Sequence, residues 1–320
     1  MDRRTLLASG LALAAAAPLR AQGPAPATAA QRLPLWPQGV PGGEGRTVTD
    51  VFVKRSPDGP ADDIAWTHLA TPVLKVTPAA RPNGTAVLMI PGGGYARIAV
   101  GNAPSNLAQL YAANGTTAFE LLYRLPHDNW AAGPDAPLQD AQRAMRLIRA
   151  GAARWGFDPA KVLALGFSAG GHLVGRLGEQ AGAKTYDPVD ATDALSATPI
   201  AIGMFFPVVT MAEADAHGPS KRELLGTAPD AATTDRYSLE RHVPATMPPT
   251  FVCHAADDRT VPYTNSIRMF TALQAAKIPS ELMIGEAGGH GVPLIGRDGK
   301  PHIWMDVVNT FAARHGWAAA

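Results

Sequence analysis

The stretch that most constrains this chain is KVLALGFSAGGH, Lys161 to His172. Val162–Leu165 is an apolar run of strand length, and it ends in Gly166-Phe167-Ser168-Ala169-Gly170, a G-x-S-x-G pattern leading into a helix-like segment. A serine held at a tight strand-to-helix turn is projected above a sheet, and glycines two residues either side keep side chains from colliding there. Ser168 is therefore the candidate nucleophile. The N-terminus of the helix that follows offers unpaired N–H groups and a positive dipole end, both suited to an oxyanion.

The rest of the chain is read against that turn. With 320 residues and 46% hydrophobic composition the chain can bury a large core, and one large α/β domain over residues 48–320 is the expectation. The formal net charge is +1 with 17% charged residues, which leaves no electrostatic footprint for nucleic acid. Arg143, Arg146 and Arg149 align along a helix and read as its solvated face. At the N-terminus, Arg3-Arg4 precede an apolar run of about a dozen residues and then Pro18-Leu19-Arg20-Ala21. That pattern predicts an export signal over residues 1–21, of twin-arginine type, and a periplasmic or secreted product. The run is too short for the roughly 20 residues of a membrane span, so no stable membrane anchor is expected. Cys253 is the single cysteine and reads as a buried small residue in a strand. The histidines show no metal-ligand spacing, so neither a metal nor any other cofactor is expected.

Residues 22–47 are rich in Ala, Pro and Gly and predict an extended, partly mobile lead-in. Val48–Phe52 and His68–Thr77 read as β-rich runs, and Leu88–Ile90 as a buried strand stopping at Pro91-Gly92-Gly93-Gly94. Beyond it the periods alternate. Helices are expected at Ser105–Ala113, Asp140–Trp155, Ser266–Ala276 and Ile303–Arg314. Strands are expected at Thr116–Tyr123, Val162–Leu165, Ile200–Val209, Phe251–His254 and Glu281–Ile284. Alternation of this kind implies a mostly parallel sheet with helices on both faces, the α/β class. Residues 177–198 and 211–247 lack a clean period and read as excursions flanking the site.

A serine hydroxyl needs a base to take its proton and a carboxylate to orient that base. Both appear downstream, at consecutive strand ends. The strand 250–253 leads into His254-Ala255-Ala256-Asp257-Asp258, and the strand 281–284 into Gly288-Gly289-His290-Gly291. Asp257 and Asp258 are both available as the carboxylate. Upstream, Gly92, Gly94 and Arg97 fail the last place of G-x-G-x-x-G, so the glycine turn is not a dinucleotide loop. His172 reads as a packed helix residue and His254 as a brace for the acid loop. His127, Asp128 and Trp130, on the loop after Thr116–Leu125, stand where they can touch substrate, as do Tyr95 and Arg97; Trp130 can equally pack beneath its loop.

Together, PGGGY at 91–95, GFSAGGH at 166–172, the D-x-x-V-P at Asp258–Pro262 and GGHG at 288–291 resemble the α/β-hydrolase superfamily, and within it the bacterial acetyl esterase and acetylxylan-esterase-like branch. The resemblance covers nearly everything from about residue 80 onward. It implies an α/β-hydrolase fold with about eight strands, Ser168 as nucleophile, His290 as general base and Asp258 as its carboxylate. It also implies an oxyanion hole from the N–H of Ala169 with that of Gly93 or Gly94. The implied substrate is a small-molecule or carbohydrate ester, acetyl above all. A prolyl-oligopeptidase-type peptidase shares the serine turn, but no propeller precedes it here. A non-catalytic binding module on the same scaffold would have no use for a full Ser, Asp and His set.

Overall fold

The computed structural model describes residues 31–212, 214–291 and 303–318, so the expected export signal lies outside the described residues. The strands are β1 (Gln31–Pro34), β2 (Val51–Lys54), β3 (Ile64–His68), β4 (Val73–Thr77), β5 (Gly84–Ile90), β6 (Thr117–Leu122), β7 (Phe157–Phe167), β8 (Ala201–Phe205), β9 (Thr250–Ala255) and β10 (Ser280–Gly285). The α-helices are α1 (Asn106–Ala113), α2 (Ala136–Ala150), α3 (Ala152–Trp155), α4 (Ala169–Gln180), α5 (Gly218–Leu225), α6 (Ala231–Arg236), α7 (Thr264–Ala275) and α8 (Ile303–Arg314). An 8-stranded sheet runs in the order β1-β4-β6-β5-β7-β8-β9-β10. Neighbours from β6 across to β10 are parallel, and β4 pairs antiparallel with both β1 and β6, so β4 alone runs against the rest. This is the expected mostly parallel sheet.

Side-chain alternation divides the core between the two faces of the sheet. On β5, Ala86, Leu88 and Ile90 join one cluster, with Ala141, Met145 and Ile148 of α2, Leu173 and Val174 of α4, and Leu273 of α7. Val87 and Met89 of the same strand face the other cluster, with Tyr111 of α1 and Trp304, Val308 and Phe311 of α8. Helices thus cover both faces, and the central strands are buried on both sides.

Several elements differ from the sequence reading. Only Val73–Thr77 of the run 68–77 forms a strand of its own, β4 in the main sheet; His68 is the last residue of β3, which pairs with β2 in a separate hairpin sheet. Within the expected lead-in, residues 31–34 form β1 and Leu35 and Trp36 are buried, so packing begins before residue 48. The helix expected at Asp140–Trp155 begins at Ala136 and is interrupted at Gly151. Arg143 is not on a solvated face. It is fully buried, donates to Leu35 O at 3.0 Å, and pairs with Asp190 at 2.5 Å and Asp193 at 3.0 Å. Arg149 is half-buried and donates to Thr198 O. The helix is there as expected, but the chain on either side folds back over the arginines.

A buried ion pair ties β1's continuation to β6 and α2. Asp140 accepts from Trp36 Nε1 at 2.7 Å, from the Arg124 backbone N–H at 2.7 Å and from Arg124 Nε at 3.0 Å. Arg124 also donates to Pro41 O at 2.9 Å and Gln139 Oε1 at 2.9 Å. Both charges are fully buried, so removing one leaves the other uncompensated. Asp140→Asn should destabilise the chain by about 3–5 kcal/mol in urea denaturation followed by tryptophan fluorescence.

Candidate active site

Ser168 sits between β7 and α4 with φ 55° and ψ −119°, a conformation L-residues rarely adopt. Two close approaches make the turn possible. A Cβ on Gly166 would lie 2.2 Å from Gly170 O, and one on Gly170 would lie 2.1 Å from Ile90 O. Neither distance tolerates a side chain. The serine is fixed by its N–H donating to Phe205 O at 3.0 Å and its carbonyl accepting from Val208 N–H at 3.2 Å.

The structure brings Ser168, His290 and Asp258 together. Ser168 Oγ lies 2.9 Å from His290 Nε2, and His290 Nδ1 lies 2.7 Å from Asp258 Oδ2. The geometry suits a hydroxyl donating to Nε2 while Nδ1–H donates to the carboxylate. Asp258 Oδ1 accepts from the N–H groups of Thr260 at 2.8 Å and Val261 at 3.1 Å. Burial alone would raise this carboxyl, but hydrogen bonds from His290, Thr260 and Val261 outweigh it and hold the group below the ordinary carboxylate range. Phe206 stands edge-on against the His290 ring, with centroids 4.9 Å apart.

The neighbouring carboxylate takes another task. Asp257 Oδ1 accepts from Gly289 N–H at 2.8 Å and so ties down the loop that carries His290. His254 braces the acid loop as expected. Its Nε2 is within 3.0 Å of Asp258 Oδ2 and 3.1 Å of Val261 O, both acceptors, so that nitrogen carries the proton and Nδ1 accepts from Ser266 Oγ at 2.7 Å. Burial holds this imidazole below its ordinary value, against the pull of Asp258.

A cavity of about 780 Å³ opens over Ser168 and His290, and Gly93, Gly94 and Arg97 also line it. Gly93 has φ 135°, and a Cβ there would lie 2.0 Å from Arg97 O, so glycine is required. Ala169 is the first residue of α4, where an N–H has no intrahelical acceptor. Two other expected contacts are not there. Tyr95 is buried and its hydroxyl lies 2.8 Å from His172 Nδ1, away from the cavity wall. Trp130 is also buried, beneath its loop, with the Arg124 guanidinium 5.6 Å from its ring centre, and it lines a different cavity. Aromatic residues beside a site motif attract a substrate reading, but both rings are used in packing.

His127 and Asp128 are likewise turned to the scaffold. His127 Nε2 is 2.8 Å from Thr67 O, and Asp128 is 2.5 Å from His68 Nδ1. These three side chains bring ligand-capable atoms within 4.8 Å of one another, at a distance in sequence that no spacing motif can show. The aperiodic stretch 211–247 supplies His217, Arg222 and Glu223 to the cavity wall. Their sequence carries the α5 N-cap, in which His217 accepts from Ser220 N–H, but nothing that marks them as site residues.

His172 is fully buried, as expected for a packed helix residue, with Nε2 2.8 Å from Tyr237 O. Burial pushes this imidazole from 6.5 down to about 3. A depressed base takes up its proton in the unfolded chain first, so its contribution to stability is complete above 6.5 and is lost as pH falls from there to about 3. Denaturation midpoints across that range should decline with falling pH, and His172→Gln should flatten the decline.

The BD-FAE family model matches residues 75–273. Endo-1,4-beta-xylanase B of Butyrivibrio fibrisolvens is 32% identical over 210 residues, which are 64% of this chain and 32% of that protein. An acetylxylan esterase of Xylanibacter ruminicola is 30% identical over 214 residues, 66% of this chain and 41% of that protein. The chain thus spans less than half the length of these curated relatives. Among solved structures, an acetyl ester-xyloside bifunctional hydrolase from Caldicellulosiruptor lactoaceticus superposes with a TM-score of 0.70 at 28% identity, covering 91% of this chain and 98% of that one.

Proposed function

The chain belongs to the BD-FAE family and has the α/β-hydrolase fold, and from that premise we propose that it is a serine esterase removing short acyl groups, acetyl foremost, from hydroxylated carbohydrate such as acetylated xylan. The observation that carries the reading is the relay of 2.9 Å and 2.7 Å from Ser168 through His290 to Asp258, opening on the cavity. The acetyl and carbohydrate part of it is supported by what the acetylxylan esterase and the acetyl ester-xyloside hydrolase are named for. Export through the N-terminal twin-arginine segment is part of the same reading.

In this mechanism His290 takes the hydroxyl proton as Ser168 Oγ attacks the ester carbonyl, and Asp258 stabilises the imidazolium that forms. The tetrahedral oxyanion is held by the Ala169 N–H and one from Gly93 or Gly94, each such donor typically worth about 3–4 kcal/mol. His290 then gives its proton to the departing alcohol, leaving the acyl group on Ser168. Water repeats the sequence and releases the acid. Asp257 keeps the base loop in place and takes no proton.

Assays with 4-nitrophenyl acetate and acetylated xylan test the assignment. Ser168→Ala should abolish turnover, and Asp258→Asn should lower kcat by roughly 10⁴-fold through loss of the required imidazole tautomer. Asp257→Asn, which weakens one hydrogen bond to a loop, should cost roughly tenfold or less. Equal losses in the two aspartate variants, or covalent labelling of a residue other than Ser168 by a fluorophosphonate, would sink the assignment.

A further inference from the structure

Two guanidinium groups at the mouth of the Ser168 cavity are not used by this chemistry. Arg97 packs on the glycine turn, its Cγ 3.0 Å from where a Cβ on Gly93 would stand, and a backbone bridge joins it to Gly94. Arg222 belongs to α5, which meets the same turn: Ser220 Oγ is 3.6 Å from the position of a Cβ on Gly94. Both arginines line the cavity and are exposed, and among the described residues neither side chain has a hydrogen-bond or ion-pair partner. The other charged side chains of the wall are engaged. Arg55 pairs with Asp63 at 3.1 Å, Glu120 with Lys75 at 3.2 Å, and Glu223 stands 3.6 Å from His127 Nδ1.

The wall is also graded by depth. Met89 and Phe206 are buried apolar residues, suited to a small acyl group, whereas the two arginines are exposed at the rim, suited to the larger, hydrated alcohol part of an ester. Guanidinium groups match a carboxylate in charge and in bidentate geometry, and a neutral hydroxyl offers neither. His217 adds an uncharged donor beside them. Its Nδ1 accepts from Ser220, so Nε2 keeps the proton. Burial, then the nearby His290, hold the ring below its ordinary value.

We infer that Arg97 and Arg222 form a carboxylate-binding subsite at the mouth of the Ser168 cavity, so that the preferred ester carries an acidic group of the uronate type on its alcohol part. This inference rests on the esterase reading above.

The test uses the purified chain and two acetyl esters that differ in charge, 4-acetoxybenzoate and its methyl ester. The ratio of kcat/KM for the anionic over the neutral ester is measured in the wild type and in the Arg97→Gln/Arg222→Gln double variant. That ratio should fall roughly tenfold in the variant, and in the wild type it should shrink as salt is raised. An unchanged ratio with both esters hydrolysed overturns the subsite and leaves the esterase reading standing. Hydrolysis of neither ester by the wild type overturns the esterase reading, and the inference with it. A third ester, 4-nitrophenyl hemisuccinate, puts the carboxylate on the acyl side. If the double variant loses turnover on this ester alone, the alcohol-side assignment is wrong.

Discussion

Everything in the site depends on two places where backbone touches backbone without a side chain between. At the end of β7 the chain turns so sharply that Gly166 faces Gly170 O and Gly170 faces Ile90 O at distances a Cβ could not survive. The turn forces Ser168 to φ 55°, a cost of order 1–3 kcal/mol for a non-glycine residue. Pairing of β7 with β8 and the packing of α4 on the sheet hold it there. Because Gly170 lies against Ile90, the last residue of β5, the serine turn and the glycine turn at 92–94 form one contact. Neither can shift without the other, so Ser168 Oγ and the backbone amides of the glycine turn, which the proposed mechanism uses together, keep their spacing.

The legible parts of this chain were those written locally. Val162–Leu165, the glycines around Ser168 and the strand-end positions of Asp258 and His290 each carry a short-range signal, since parallel strands place their following loops at one edge of the sheet. The failures share a different cause. Tyr95 and Trp130 have the composition of binding residues, and only the return of distant segments decides that they are packed instead. Arg143 reads as solvated until residues 35 and 190–193, far away in sequence, close over it. His217 and Arg222 sit in a stretch without periodicity, where no pattern could announce a wall of the cavity. Of the adjacent aspartates, Asp258 is favoured in sequence only by the resemblance carried in D-x-x-V-P, because local pattern alone gives two carboxylates one position apart the same standing. Geometry separates them: one meets His290 and the other Gly289.

Buried charge follows a consistent logic here. Arg124 with Asp140, and Lys75 with Glu120, are desolvated pairs whose remaining polar atoms are taken up by carbonyls and side chains. Such pairs add little net stability relative to an apolar core, but once present they punish any change that leaves one partner alone. Lys75 and Glu120 are directly opposed in the register of β4 and β6, so this pair also disfavours a slipped alignment of the strand that runs against the others.

The parallel arrangement also determines which side of the molecule can be handled without harm. Ser168, the glycine turn, Asp258 and His290 all follow the carboxyl ends of their strands, and the opposite ends carry none of them. At that far side, residues 158–160 form an exposed stretch at the start of β7. The run Lys161–Phe167 separates it from Ser168, and at about 3.3 Å per residue this comes to roughly 25 Å. A tether fixed there, to a resin or to a fused partner, would leave the mouth of the cavity facing away from the support.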